Sequence, residues 1–449
     1  MLDVISNIAT WQWILVIGSS LVLLLISPVA KTASDFFKAV GKDNKAASLW
    51  LLTSSLVISW IFAKSITNAA NLGLKYGIVG GIAYATYYLS FLFAGIIIYQ
   101  LRTKGKFQSI HHFLNEKYGR SALILFSVLI AFRLFNEVWS NTMVIGSYFG
   151  ESGTWTYYLA IIVFTCLTLL YSLKGGLKSS LLTDGIQMVL FGGLLMIILV
   201  IVLPKSESAT ELLQSDWTLT GGLDLLLVAL LQAFSYPFHD PVMTDRGFIT
   251  DARTMRKAFI IAVPVGFLAI VLFSLIGVYA RQAGLSGQAA VEVGKLLGGV
   301  LMLAINFIMI TSASSTLDSA FASFSKLAIK DLSMGAESVR NGRMVMIIVA
   351  VAGTVPVIFS PEILSATTVS GTMVIGLAPV FIFWNKAANR YAFTATVLTG
   401  IGFGIWYAIG WFPESLILIK SDYGALLSVN IIGTLVCFLV FFGSNLLKK

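Results

Sequence analysis

The sequence predicts an all-α integral membrane protein with about thirteen spanning helices. Three observations carry this. The 449 residues are 57% hydrophobic and only 11% charged, against roughly 25% charged in a soluble globular protein. Apolar stretches of about 20 residues, the length needed to cross a bilayer, recur along the whole chain. Lys and Arg cluster at alternate ends of those stretches, as the retention of basic residues on the cytoplasmic side requires.

The expected spans are 10–30, 46–72, 76–99, 119–148, 155–173, 182–204, 221–248, 256–281, 296–327, 341–359, 362–384, 391–411 and 423–446. The chain opens MLDVISNIATWQW, with neither a basic n-region nor a small-residue cleavage site before its first apolar run. A retained helix is expected there, not a signal peptide. The second carries Lys64, Thr67, Asn68 and Asn71 at offsets 0, 3, 4 and 7, which is one helical stripe. Lys64 falls near mid-membrane, where charge is costly. It either neutralises Glu137 or Asp318, or serves as a built-in cation or proton carrier. The fourth span puts Arg133, Asn136, Glu137, Ser140 and Asn141 on one stripe. Such a stripe faces a cavity or a polar neighbour, and Arg133 and Glu137 are spaced to pair with each other.

The sixth span opens near Asp184. The seventh ends in SYPFHDPVMTDR, where Pro237 and Pro241 flank His239 and Asp240. Proline removes a backbone donor, and broken backbone at membrane depth is tolerated only where it lines a cavity or is covered by protein. Secondary transporters hold their solutes at such breaks. The ninth contains TSASSTLDSAFASFS, with Ser312, Ser315, Thr316 and Ser319 on one face. Small hydroxyl residues let helices pack closely. Six of them with Asp318 between 311 and 319 also make an oxygen-only environment, which suits a hard cation such as Na⁺.

With the N-terminus outside and the C-terminus inside, 23 of the 30 Lys and Arg fall in cytoplasmic segments or the helix ends bordering them. Outside lie only Lys75, Lys205, Arg281, Lys295 and Lys420, and within helices only Lys64 and Arg133. The net charge of +9 is thus an orientation signal, not a nucleic-acid surface. The four acids inside spans are Glu137, Asp184, Asp240 and Asp318. Cys166 and Cys437 both lie in apolar runs, so no disulfide framework is expected. His239 has no nucleophile partner in sequence, and His111-His112 sit in a basic loop without metal-ligand spacing, so an enzyme is not expected. Nothing resembles a pore loop, and no signalling domain is appended, which disfavours a channel or a sensor.

Several motifs together resemble the sodium:solute symporter family in its bacterial form. YSLKGGLKSSLLTDGIQ at 171–187 is similar to its GGLK…TD..Q signature, through Gly175, Gly176, Leu177, Thr183, Asp184 and Gln187. SDFFKAVG at 34–41, QSIHHFLNEKYG at 108–119 and SSTLD…KDL at 314–332 resemble further family elements, and TDR at 244–246 departs from the family's Gln-Arg at Asp245. WIFAKSITNAANLGLKYG resembles the urea-type members. The resemblance implies a LeuT-like inverted five-plus-five repeat: 46–204 and 221–384, preceded by an extra helix and loop in 1–45 and followed by two helices in 385–449. It implies Na⁺-coupled import of a small polar solute, amino acid or urea-like, across the plasma (inner) membrane by alternating access. It also implies a sodium site made by the carbonyls of Trp60, Ala63 and Ser312 with the hydroxyls of Ser315 and Thr316. A second sodium or proton site would use Asp184, Asp318 and Ser319, with Ser315 and Thr316 beside them. The solute is expected near Lys64, Asn68, Arg133, Glu137, Phe238, His239 and Asp240. The rival expectation is a proton-coupled or uncoupled carrier of the same fold in which Lys64 replaces sodium.

Overall fold

The computed structural model describes residues 7–38, 47–206, 214–360, 365–386 and 389–446. Gly41 of the SDFFKAVG motif and the C-terminal Lys448 and Lys449 lie outside the described residues. The described chain is helical throughout. Helix α1 (Ile8–Ile26) is followed by a short α2 (Ala33–Lys38). The next five crossings are the pair α3 (Leu49–Ile58) and α4 (Ala63–Tyr76), then α5 (Ile78–Thr103), α7 (Arg120–Ser147), α8 (Trp155–Gly175) and α9 (Leu177–Lys205), with the short α6 (Ile110–Tyr118) between α5 and α7 in sequence. A further five follow: α10 (Leu219–Gln232) with α11 (Pro241–Arg246), α12 (Ala252–Gln282), α14 (Gly299–Asp331), α15 (Val339–Phe359), and α16 (Ser365–Met373) with α17 (Leu377–Ile382). Helix α13 (Ala289–Leu297) lies between α12 and α14, and α18 (Arg390–Ala408) and α19 (Gly424–Leu446) close the chain.

Among the described residues, nine helices are long and apolar enough to cross a bilayer unbroken, and α3 with α4 makes a tenth span bent by 59°. The other three expected spans differ in kind. The seventh and eleventh are interrupted, at 233–240 and 374–376, and α18 is less apolar. The expected start of the ninth span, near 296, is instead the end of the separate helix α13, which Gly298 divides from α14 with φ of +100°. Each set of five thus opens with a broken helix.

At four junctions, Gly77, Gly119, Gly176 and Gly298, one helix follows another with a single residue between them, and glycine makes this possible. Gly77 and Gly176 take φ of +67° and +57° at the α4–α5 and α8–α9 junctions, a region glycine enters without a Cβ penalty. Helix α4 packs along α12 at backbone contact. A Cβ added at Gly73 or Gly277 would collide with the carbonyl of Ser274 or of Ala70, which is the small-residue packing expected between membrane helices. One large cluster of buried apolar side chains, running from Val16 to Phe441, joins the elements of both sets. Apolar side chains such as Leu25, Val200, Phe359 and Leu439 are exposed on the perimeter; in a bilayer that surface meets lipid.

Candidate functional site

The two broken helices meet at the centre of the molecule. The first breaks over 59–62. Trp60 is freed there from regular helix, and its carbonyl accepts a hydrogen bond from the Tyr88 hydroxyl at 2.8 Å. The Lys64 amide, in the buried first turn of α4, donates to Asn141 Oδ1 at 3.3 Å. These side chains satisfy backbone groups that water would satisfy elsewhere. In the second break, Tyr236–His239 forms a 3₁₀ turn with Pro237 near its start. Asp240 then caps α11, accepting from the Met243 amide at 3.2 Å, with Pro241 as the first helical residue. Proline fits there because that amide has no intrahelical partner.

Four buried charges bridge the breaks. Lys64 Nζ lies 2.8 Å from Glu137 Oε1. Arg133 also pairs with Glu137, and its other arm reaches Asp240 Oδ2 at 3.2 Å. Trp60 Nε1 donates to the same Asp240 oxygen at 2.8 Å, and Asn141 Nδ2 donates to Glu137 Oε2 at 2.9 Å. The Arg133 guanidinium lies 5.2 Å from the Phe62 ring and 5.1 Å from the Tyr236 ring, within cation–π reach. Two bases and two acids form a closed, neutral network, so each charge keeps a partner as burial demands. Of the alternatives for Lys64, the geometry selects Glu137.

Beside this network is a small cavity of about 20 Å³ walled by Trp60, Phe62, Ser65, Tyr84, Tyr87, Tyr88 and Tyr236. It must widen to admit a solute of several heavy atoms. Asn68 Nδ2 approaches the Tyr84 hydroxyl at 3.4 Å on its rim. His239 Nδ1 lies 2.5 Å from the Tyr236 carbonyl, and its Nε2 is buried without a partner. Phe238 points elsewhere: its ring stacks on Phe381 at 4.0 Å, next to Phe113 and Phe126.

A second polar cluster joins α3, α9, α11 and α14. Asp184 Oδ2 accepts from Ser55 at 2.5 Å and Ser59 at 3.2 Å, and Oδ1 accepts from Ser315 at 2.5 Å. Arg246 NH2 reaches Asp184 Oδ2 at 2.9 Å and Ser319 Oγ at 2.9 Å, while its Nε donates to Ser55 at 2.5 Å. Asp318 accepts from Thr183 at 2.9 Å, Ser180 at 3.0 Å and Ser319 at 3.3 Å. Among the described residues Asp184 therefore has one cationic partner, Arg246, and Asp318 is held by hydroxyls alone.

Of the expected sodium ligands, Ser315 reaches this cluster, whereas the Trp60 carbonyl is engaged by Tyr88 at the first break. Ser315 faces Asp184. The Thr316 hydroxyl donates to the Ser312 carbonyl at 3.0 Å, and the Thr67 hydroxyl to the Ala63 carbonyl at 3.1 Å. The two hydroxyl oxygens keep lone pairs for a cation, whereas each carbonyl also accepts an amide of its own helix, so the hydroxyl would have to turn away for it to bind one. Ser312 Oγ is buried without a partner. The oxygen-only donor set fits a hard cation.

Sequence reasoning missed Arg246, the tyrosines and the serines of α3. Arg246 had been counted with the cytoplasmic end because it closes TDR; here its side chain is fully buried. Tyr84, Tyr87 and Tyr88 stand at i, i+3 and i+4, and Ser55 and Ser59 at i and i+4. Those spacings are legible but common in apolar helices.

The model of the sodium:solute symporter family matches residues 43–221. Among solved structures, the chain is similar to a Na⁺-coupled sialic acid symporter in a substrate-bound outward-open state. The TM-score is 0.69, at 16% identity over 96% of this chain and 98% of that one. It is similar to Mhp1, a nucleobase-cation-symport-1 family transporter closed around bromovinylhydantoin. There the TM-score is 0.58, at 10% identity over 93% and 94% of the two chains. For MhsT in complex with L-phenylalanine the TM-score is 0.56, at 15% identity over 89% and 99%. At such identities the likeness is one of fold, and that fold is the LeuT-like one. No curated protein matches the chain.

Proposed function

We infer that the chain is a sodium:solute symporter family member that carries out sodium-driven import of a small polar solute by alternating access. The observation that carries this reading is the meeting of two broken helices beside a buried oxygen cluster. In that cluster two carboxylates, Asp184 and Asp318, share one cation, Arg246. Sodium supplies the missing positive charge. Its ligands are the carbonyls of Trp60, Ala63 and Ser312 and the hydroxyls of Ser315 and Thr316, with Asp184, Asp318 and Ser319 forming an adjoining second site. Residues 46–204 and 221–384 are the two inverted repeats, with 1–45 and 385–449 appended. The N-terminus faces outward across the plasma membrane, and thirteen crossings bring the C-terminus to the cytoplasm.

The solute enters between the aromatic wall and the Lys64–Glu137–Arg133–Asp240 network. A solute bearing both a donor and an acceptor, such as an amino acid or a urea, replaces internal contacts there without leaving a charge unpaired. His239 Nε2 offers a further free group. Sodium favours one conformation by joining α14 to the break in the first core helix, and coupling follows only from that preference. Opening toward the cytoplasm separates Arg246 on α11 from Asp184 on α9.

A carrier driven by Lys64 in place of sodium is the weaker reading. Lys64 Nζ is held by Glu137 at 2.8 Å, on the solute side of the break and not among the hydroxyls of α14. The test is uptake into proteoliposomes with an imposed Na⁺ gradient, across amino acids, ureas, sugars and nucleobases. Uptake that ignores the sodium gradient would overturn the proposal.

A further inference from the structure

Helix α19 lies beyond both five-helix sets, yet its first two turns and the two residues before them are tied into the broken helices at two levels. At the outer end, Asp422 Oδ2 accepts from the Tyr76 hydroxyl at 2.5 Å and pairs with Lys75 at 2.6 Å, both at the end of α4. One residue on, the Tyr423 amide donates to Asp224 Oδ2, in α10, at 2.8 Å. Deeper, Gln232 closes α10 just before the second break and is fully buried. Its Nε2 donates to Asn430 Oδ1 at 3.0 Å and Thr372 Oγ1 at 3.3 Å. Its Oε1 accepts from the Tyr87 hydroxyl at 2.8 Å. Asn430 Nδ2 in turn donates to Thr372 Oγ1 at 3.0 Å and to the Leu426 carbonyl at 2.8 Å.

The deeper joint has a specific chemical character. Two primary amides, a hydroxyl and a phenol from α19, α10, α16 and α5 meet where no water competes, and each amide oxygen and nitrogen finds a partner. Such a joint has one good arrangement, because any shift leaves an amide unpaired in an apolar interior. Tyr87 is also a wall of the solute cavity, so a displaced Gln232 is felt at the cavity.

We propose that residues 422–430 clasp the outer half-helices α4 and α10 and the helix α16 into one moving body, with Asn430 a positioning residue of the transport cycle. This rests on the alternating-access reading for its kinetic consequence, but not for its mechanical one. The clasp explains why a helix outside the repeats reaches the break: it ties the two outer half-helices to each other and to α16.

The test compares Asn430→Leu, Gln232→Leu and the double substitution with the unmodified protein. Initial uptake in proteoliposomes, thermal unfolding and hydrogen exchange of peptides from 63–76 and 219–232 are measured on each. Asn430→Leu is expected to lower maximal uptake about tenfold while KM changes less than about twofold, a barrier change of one decade, and to speed exchange at 219–232. Replacing both partners by apolar groups removes the unpaired amide. The double variant is therefore expected to recover its unfolding temperature but not its turnover or its slow exchange. Recovery of turnover together with stability in the double variant would reduce the joint to packing and overturn the proposal. So would normal turnover and exchange in Asn430→Leu. Should the unmodified protein show no sodium-driven uptake, the transport reading fails, and exchange at 219–232 still decides the clasp.

Discussion

Arg246 NH2 lies 2.9 Å from Asp184 Oδ2, and both side chains are completely buried. The pair joins the inner half of the second broken helix to the start of α9, and Ser55, Ser59, Ser180, Ser315, Ser319 and the Val242 carbonyl complete its hydrogen bonds. A pair with this burial is costly to break from one side only.

Arg246→Met should therefore destabilise the protein by about 3–5 kcal/mol, since Asp184 is left buried without a cationic partner. Adding Asp184→Asn should recover a large part of that loss. Thermal unfolding in detergent measures both. Additive losses in the double variant would mean that the two groups do not depend on each other.

Ser315→Ala with Thr316→Ala removes two hydroxyl oxygens from the proposed cation site. Half-saturation by sodium should rise about tenfold or more, a loss near 1.4 kcal/mol of binding. The sodium dependence of initial uptake is the measurement. An unchanged sodium affinity would remove these residues from the ligand set.

Lys64→Met leaves Glu137 paired with Arg133 alone, and opens the neutral network on the solute side. Solute KM should rise while sodium dependence persists. Loss of sodium dependence with retained solute affinity would return Lys64 to the coupling site.

His111 lies outside the spanning helices, on α6, where it packs against the Phe126 ring with Asp331 Oδ2 3.7 Å from its Nδ1. Burial holds its imidazole below the ordinary value; Asp331 and Asp245 oppose that, and Lys326 adds to it. The unfolded chain takes up this proton at higher pH than the folded one. The contribution of neutral His111 is thus complete above the ordinary imidazole range and is lost as pH falls through it toward the lower folded value. His111→Gln should flatten the acid side of the stability profile, read as unfolding temperature between about pH 5 and 7. A profile identical to that of the unmodified protein would show that another group titrates there.

Much of this architecture was legible because membrane burial leaves few readings for a polar residue. Pro237 and Pro241 marked the second break, since nothing else explains two missing donors at that depth. Polar stripes marked Glu137 and Arg133, and hydroxyl density marked Ser315. The first break was not marked. Residues 59–62 contain no proline, and their disruption is made by tertiary partners, Tyr88 and Asn141, that no local pattern announces. Arg246 was misplaced because a basic residue at a helix end ordinarily belongs to the interface. Its burial depends on carboxylate and serine partners from α3, α9 and α14. Phe238 was grouped with the solute by its position in the break, yet its direction is decided by Phe381, 143 positions later in the chain.

The charge balance of the two buried clusters has an electrical consequence. Lys64, Arg133, Glu137 and Asp240 sum to zero when ionised, so their movement carries no current. Arg246, Asp184 and Asp318 sum to minus one. In the proposed cycle, one bound sodium would bring that cluster to neutrality. An inward-negative voltage then acts on the unloaded carrier, pushing its negative cluster outward with about 2.3 kcal/mol per 100 mV for a full traverse, and leaves the loaded step nearly voltage-independent. The buried carboxylate excess would make the voltage reset the empty carrier toward the outside, and transient currents recorded without solute would report that step.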